Sequence, residues 1–108
     1  MGMKSYPSVV DVPQDLDLVV VTIPLNGVLD VLEDCNKKNI HNMVIVSAGG
    51  KETGNIKLEE DIKEKAKEYG VRIIGCNCIG VMDGYNRLDT FFYPEHKVIK
   101  PGSGNIAM

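Results

Sequence analysis

The sequence predicts an α/β domain built on a parallel sheet. Three short apolar runs rich in β-branched residues alternate with two segments of helical period. Each apolar run is followed by a loop of small or polar residues. Strands joined through helices run parallel, so these loops meet at one rim of the sheet, where open α/β sheets bind ligands.

The first strand is predicted over residues 18–23, with the sequence Leu-Val-Val-Val-Thr-Ile, and Pro24 ends it. Before it, residues 8–13 predict a short turn. A helix should follow from a cap at Asn26 to about Lys38, because its apolar residues recur on one face. These residues are Val28, Leu32 and Cys35. Asn39 suits the left-handed position that ends a helix.

The second strand is predicted over residues 43–46, and the small residues 47–50 end it. Glu52 and Thr53 are expected to begin the second helix, whose first amides would then form an anion site. The helical period is clear over residues 58–69, where Glu59 and Lys63 stand four apart, and Gly70 ends it.

The third strand is predicted over residues 71–75. All three strands are apolar on both faces, as in parallel sheets covered on both sides. After Gly80 the pattern weakens: residues 81–86 suggest a strand leading into a turn, and residues 100–104 suggest a linker. The last residues, 105–108, resemble the start of another strand.

Composition excludes several classes of function. The chain has 108 residues, which allows one domain, and its net charge is −3 with no basic stripe. Nucleic acid and anionic membranes are therefore not expected as partners. No apolar run has the length of a membrane span and no signal pattern is present, so the sequence predicts a cytoplasmic protein.

The cysteines and histidines predict neither a metal site nor a catalytic group. Cys35 is expected to be a buried thiol on a helix face. Cys76 and Cys78 are spaced too closely for the usual zinc pair. His41 and His96 fall in a turn and in a charged segment, where solvated side chains are expected.

In their order and spacing, six segments resemble one protein family, the nucleoside-diphosphate-forming acyl-CoA synthetases, which include the succinyl-CoA synthetase α subunit. The resemblance is to the latter part of their CoA-binding domain, and it extends from about Tyr6 to Met108. The segments are YPSVVDVP, DLDLVVVTIP, VIVSAGGKETG, GVRIIGCNCIGVMD, LDTFF and GNIAM. One departure is Cys76, where the family usually has proline.

The resemblance implies a Rossmann-like three-layer αβα sheet that lacks the start of the CoA-binding domain. Residues 1–100 would be this partial domain, and residues 101–108 would be a linker and the start of the next domain. The complete enzyme would interconvert an acid, CoA and ATP with acyl-CoA, ADP and phosphate. The family's phosphate-binding first strand and its phosphorylated histidine have no counterpart here, so we expect no complete catalytic cycle from this chain alone.

By resemblance, the cofactor is coenzyme A, bound across the strand ends. Three residues would line its nucleotide side: Ile23, Pro24 and Leu25. Three would approach it with backbone groups: Ser47, Ala48 and Gly49. Two would lie near its reactive end: Asn77 and Cys78. The small residues permit close approach, and Ser47 and Asn77 offer hydrogen bonds.

Without the family's first strand, the strand at residues 18–23 becomes an exposed apolar edge. The expected partners are therefore a second copy of this chain at that edge and the remaining synthetase domains or subunit. Two alternative functions remain open at this point. One is a CoA- or nucleotide-binding module without catalysis. The other is half of a nicotinamide-dependent oxidoreductase, which the lack of a G-x-G-x-x-G turn disfavours.

Overall fold

A computed structural model describes residues 2–94, 96–97 and 99–105 of the chain. The expected terminal strand at residues 105–108 lies mostly outside these residues. The described elements alternate as predicted, with two further short strands after the third. They are β1 (Val19–Val21), α1 (Val28–Lys37), β2 (Asn42–Ile45), α2 (Ile56–Glu68), β3 (Arg72–Ile74), β4 (Met82–Asp83) and β5 (Leu88–Asp89).

Strands β1, β2 and β3 form a parallel sheet in that order, which confirms the predicted fold class. Val21 pairs with Ile45 across β1 and β2, and Met43 pairs with Ile73 across β2 and β3. β1 and β3 are shorter than predicted, whereas β2 keeps its four residues and begins one residue earlier. Among the described residues β1 pairs with β2 only, so its other edge is open.

Both helices pack on one face of this sheet. The buried core joins α1, through residues such as Leu32, and α2, through Ile62, to the inward side chains of the strands. The other face carries Val20 and Ile74, whose side chains are 38% and 52% exposed. Among the described residues, then, these two outer positions of the second face are not covered as the apolar pattern suggested.

The predicted C-terminal stops of both helices and the lead-in turn are confirmed, but the predicted cap at Asn26 is wrong: Asn26 lies in a 3-10 turn, and Gly27 is at the N-cap of α1. Asn39 has a φ of 57° and Gly70 a φ of 66°, so both take left-handed conformations after their helices. The lead-in forms a 3-10 turn at Val9–Asp11, and the Ser8 hydroxyl accepts a hydrogen bond from the Val10 amide at 3.1 Å. No helix of the described residues is both long and apolar enough to cross a membrane.

The chain divides into two compact units, one ending at Cys78 and the other beginning at Ile79. In the second unit β4 and β5 pair as an antiparallel hairpin. The Val81 amide donates to the Thr90 hydroxyl at 2.8 Å, and Lys100 forms an ion pair with Asp89. The sequence predicted a strand and turn near Val81 but not the pairing with Leu88–Asp89.

Candidate functional site at the strand ends

Three loops follow the parallel strands at the same end of the sheet, where the carboxyl ends of the strands lie. We call residues 22–27 loop 1, residues 46–54 loop 2 and residues 75–78 loop 3. Backbone hydrogen bonds continue beyond the paired strands. The Val46 amide of loop 2 donates to the Val21 carbonyl at the end of β1 at 3.0 Å, and the Asn77 amide of loop 3 donates to the Ser47 carbonyl of loop 2 at 3.0 Å. The structure therefore brings the three predicted loops together at one rim.

Ser47 connects loop 1 to loop 2. Its hydroxyl donates to the Ile23 carbonyl at 2.5 Å, directly after β1. The Ser47 carbonyl in turn accepts from the Asn77 amide. One residue of the middle loop thus bonds to both of its neighbouring loops.

Loop 3 is fixed mainly by its contact with the backbone of β2. The Cys78 amide lies 3.4 Å from the Ile45 carbonyl, and the Cys78 Sγ lies 3.3 Å from the same oxygen. Gly75 has a φ of 115°, and a Cβ added there would collide with the Ile45 carbonyl oxygen. The Gly75–Cys76 peptide bond is cis, and Asn77 is left-handed with a φ of 57°.

Loop 2 corrects one expectation from the sequence. Glu52 and Thr53 do not begin the second helix; they lie in a 3-10 turn, Lys51–Thr53, and α2 begins at Ile56. The Glu52 Oε1 accepts a hydrogen bond from the Gly49 amide at 2.6 Å. This bond holds the pKa of Glu52 below its ordinary value. The expected anion site at a helix start is therefore absent from these two residues, and a carboxylate of the chain itself occupies the Gly49 amide.

Glu59 of α2 holds the same loop from the other side. Its Oε2 accepts from the Lys51 amide at 3.0 Å, and its Oε1 lies 2.8 Å from the Lys63 Nζ. The Glu59 side chain is only 13% exposed. The bond from Lys63, followed by that from the Lys51 amide, lowers the pKa of the Glu59 carboxyl. Loop 2 is therefore attached to α2 through a charged side chain.

The predicted site residues differ in what they offer at the rim. Leu25 is 3% exposed, so its side chain belongs to the core, whereas Ile23 is 44% exposed and available to a ligand. Sequence reasoning missed the roles of Gly75, Glu52 and Glu59. The spacing of Glu59 and Lys63 indicated a helix-surface pair, and nothing in that spacing signalled the bond to the Lys51 amide.

The three thiols are free and differ in their surroundings. Burial raises the pKa of Cys35 to about 11. Burial, and then the charges of Glu59 and Glu52, raise the pKa of Cys76. Among the described residues no three His, Cys, Asp or Glu side chains are grouped as a metal site would require.

Comparison with known families identifies the family of the domain that carries these loops. Residues 1–84 match the family described as the CoA binding domain. The chain belongs to this family, so the ligand suggested by the sequence is confirmed at the level of the family.

Curated relatives narrow the comparison to ADP-forming acid–CoA ligases. The chain is 47% identical over 103 residues to the acetate–CoA ligase (ADP-forming) of Methanocaldococcus jannaschii, covering 95% of this chain and 14% of that protein. It is 38% identical over 109 residues to the 4-hydroxybutyrate–CoA ligase (ADP-forming) of Nitrosopumilus maritimus, covering 97% of this chain and 15% of the relative. The chain therefore spans about a seventh of the length of each of these two relatives.

A solved structure agrees in fold. The dinucleotide-forming acetyl-coenzyme A synthetase 1 of Ca. Korarchaeum cryptofilum, in complex with phosphate and ADP, superposes with a TM-score of 0.83 at 40% identity. The match covers 88% of this chain and 20% of that one. The Rossmann-like architecture predicted from the sequence is confirmed by this likeness.

Proposed function

We propose that this chain binds coenzyme A across loops 1, 2 and 3 and forms the coenzyme-binding part of an ADP-forming acyl-CoA synthetase. The complete enzyme would interconvert an acid, CoA and ATP with acyl-CoA, ADP and phosphate. The observation that carries the proposal is the joined rim, in which Ser47 bonds to Ile23 and Asn77 in a chain of the CoA binding domain family.

The roles within the rim follow from what each loop presents. Loop 1 offers an exposed apolar surface at Ile23, next to Pro24, which suits the nucleotide end of the coenzyme. Loop 2 offers the small residues Ala48 and Gly49, which let a ligand approach the backbone closely. Loop 3 would place Asn77 and Cys78 near the reactive end. Leu25 contributes its backbone and the support of its buried side chain.

The chemistry of phosphoryl and acyl transfer is assigned to the assembled synthetase. None of the residues that we place at the rim acts as a catalytic group in this proposal. They bind and orient the coenzyme, which lowers the entropic cost of the later transfer step. The acid and the nucleotide would be selected elsewhere in the enzyme.

The open edge of β1 is the proposed site of assembly. Among the described residues β1 pairs on one side only, and its residue Val20 is 38% exposed. Open strand edges readily pair with another strand. We propose that the isolated chain forms a homo-oligomer there, and that in the enzyme other synthetase domains or another subunit occupy this edge. Light scattering at micromolar concentration should show an oligomer; a monomer would contradict the self-association.

The cytoplasm is the proposed compartment. Three free cysteines are compatible with a reducing environment, where structural disulfides are rare. The net charge of −3 gives no attraction to anionic membranes or nucleic acid, and neither is proposed as a partner.

Calorimetric titration of the 108-residue chain with CoA and with NADH tests the coenzyme assignment. We expect CoA to bind more tightly than NADH, and the reverse order would favour a nicotinamide-dependent class. Gly49→Ala should weaken CoA binding, because a Cβ there narrows the approach to the backbone beside Leu25, whose Cβ would be 3.5 Å away.

The matched control for this variant is Gly54→Ala. Both glycines have positive φ, 121° at Gly49 and 83° at Gly54, so both substitutions strain the backbone. A Cβ at Gly54 meets nothing within 4 Å. Equal loss of CoA affinity in the two variants would attribute the effect to strain and would contradict a ligand contact at Gly49.

A further inference from the structure

Loop 2 combines a glycine-rich backbone with two carboxylates that already occupy two of its amides. Glycine-rich loops whose amides point outward commonly bind phosphate groups. Here the Gly49 amide donates to Glu52 at 2.6 Å, and the Lys51 amide donates to Glu59 at 3.0 Å. A ligand anion would have to displace a carboxylate from each of these donors.

One of these carboxylates, that of Glu59, also pairs with the nearby positive charges. Lys63 lies 2.8 Å from the Glu59 Oε1, and the Lys51 Nζ lies 3.8 Å from the same oxygen. A Cβ added at Gly50 would lie 2.6 Å from the Glu59 Oε2, which shows how closely this carboxylate approaches the loop backbone. The Gly49 and Lys51 amides and the two nearby ammonium groups are thus already paired with carboxylates of the chain.

A third observation shows that this negative charge extends towards loop 3. The charges of Glu59 and Glu52 both contribute to raising the pKa of Cys76, so both carboxylates lie within electrostatic reach of that thiol. Loop 1 contrasts with this region, since its exposed residues are all uncharged: Thr22, Ile23, Pro24 and Asn26. The carboxylates that hold loop 2 therefore also act on Cys76 of loop 3, with Lys63 opposing them.

From this arrangement we propose that Glu52 and Glu59 determine which part of the coenzyme loop 2 accepts. They close the Gly49 and Lys51 amides to anions, so the uncharged pantetheine arm lies over Ser47 to Gly49 and the phosphates lie away from this loop. This placement rests on the proposed binding of CoA; the closure to anions does not.

Inorganic phosphate tests the closure without reference to the coenzyme. The amide signals of Gly49 and Lys51 are followed by NMR during phosphate titration of the whole chain. In the wild type they should not respond. In Glu52→Ala, which vacates the Gly49 amide and removes a charge, the Gly49 signal should titrate with phosphate. Its affinity should lie at least about fivefold above the upper limit that the unresponsive wild type sets.

Two further variants separate charge from the vacated donor. Glu52→Gln keeps an oxygen acceptor for the Gly49 amide, so it should gain less phosphate affinity than Glu52→Ala. Glu60→Gln makes the same charge change at an exposed position of α2, and it should leave both signals unresponsive. A wild-type Gly49 signal that titrates as strongly as that of Glu52→Ala would overturn the closure.

Pantetheine and adenosine 3′,5′-bisphosphate, titrated separately into the wild type, test the placement of the coenzyme. We expect pantetheine to shift the amide signals of residues 47–49, and the bisphosphate to shift signals outside loop 2. The opposite assignment would overturn the proposal. If neither compound shifts any rim signal, the coenzyme assignment and the arm placement both fail, while the phosphate titration still decides the closure.

Discussion

Loops 2 and 3 flank the same rim, but different interactions hold them. Loop 3 lies against the backbone of β2, with Cys78 bonded to the Ile45 carbonyl and no space for a side chain at Gly75. Loop 2 is held by the carboxylates of Glu52 and Glu59. The shape of loop 3 therefore depends on packing, whereas that of loop 2 depends on charge.

This difference means that the two loops should respond to different perturbations. A steric change at the sheet should disrupt loop 3 together with the fold. Acid, or the loss of a carboxylate, should release loop 2 and leave the sheet intact.

Gly75→Ala should give the largest loss of stability. The added Cβ would collide with the Ile45 carbonyl oxygen, and the φ of 115° is unfavourable for any other residue. Backbone strain and overpacking each cost about 1–3 kcal/mol, so we expect a loss of about 3 kcal/mol or more in urea unfolding. Gly102→Ala, where a Cβ meets nothing within 4 Å, is the control and should change stability little. Equal stability of the two variants would contradict the close contact of loop 3 with β2.

Ser47→Ala should have a smaller effect, because it removes one hydrogen bond between loops 1 and 2. The lost bond is that from the Ser47 hydroxyl to the Ile23 carbonyl at 2.5 Å. Such a bond contributes about 1 kcal/mol, which should be lost in urea unfolding, and CoA affinity should fall with it. Ser5→Ala, at an exposed position, is the control. Unchanged CoA affinity in Ser47→Ala would argue against Ser47 as an organiser of the rim.

Acid should loosen loop 2 selectively. The folded-state pKa values of Glu52 and Glu59 are lowered, so their contribution is present above the unfolded-state pKa and is lost as the pH falls through the folded-state value. Hydrogen exchange at the Gly49 and Lys51 amides, relative to its intrinsic rate, should accelerate as the pH falls from the unfolded-state pKa through the folded-state pKa of these carboxyls. The Asn77 amide, whose acceptor is a backbone carbonyl, should keep its protection. Equal loss of protection in both loops would contradict the distinction between them.

The smallest expected effect is on Cys76. Glu52 contributes to the raised pKa of this thiol, so Glu52→Gln should lower that pKa slightly and accelerate alkylation at pH 8 by about twofold. Peptide mapping by mass spectrometry distinguishes Cys76 from Cys35, whose pKa of about 11 makes it a slow internal reference. An unchanged rate at Cys76 would show that the Glu52 carboxylate does not influence this thiol of loop 3.

The order of the elements could be predicted because it depends on local patterns. The apolar period of α1 and the left-handed stops at Asn39 and Gly70 are properties of short segments, and the structure contains them as expected. The place where α2 begins could not be predicted in this way. Glu52 resembles a helix-starting residue in sequence, but its side chain bonds to the Gly49 amide and stabilises a separate 3-10 turn.

The site was predictable at the level of loops but not of side chains. Parallel strands separated by helices must bring their following loops to one rim, so the position of the loops was predictable. The choice of Ser47 and Asn77 within them rested on the family resemblance. The bond between Glu59 and the Lys51 amide joins residues eight apart through a loop of irregular shape. No periodicity encodes such a contact, and the hairpin of β4 and β5 escaped prediction because each strand has only two residues.

The most direct test of the account is an NMR titration of the 108-residue chain with CoA, following every assigned backbone amide. The account predicts that the shifts concentrate in loops 1, 2 and 3, including Ser47, Gly49 and Asn77, and saturate with a single affinity. Shifts confined to other surfaces, or no shifts at millimolar CoA, would contradict the claim that the joined strand ends form the coenzyme site.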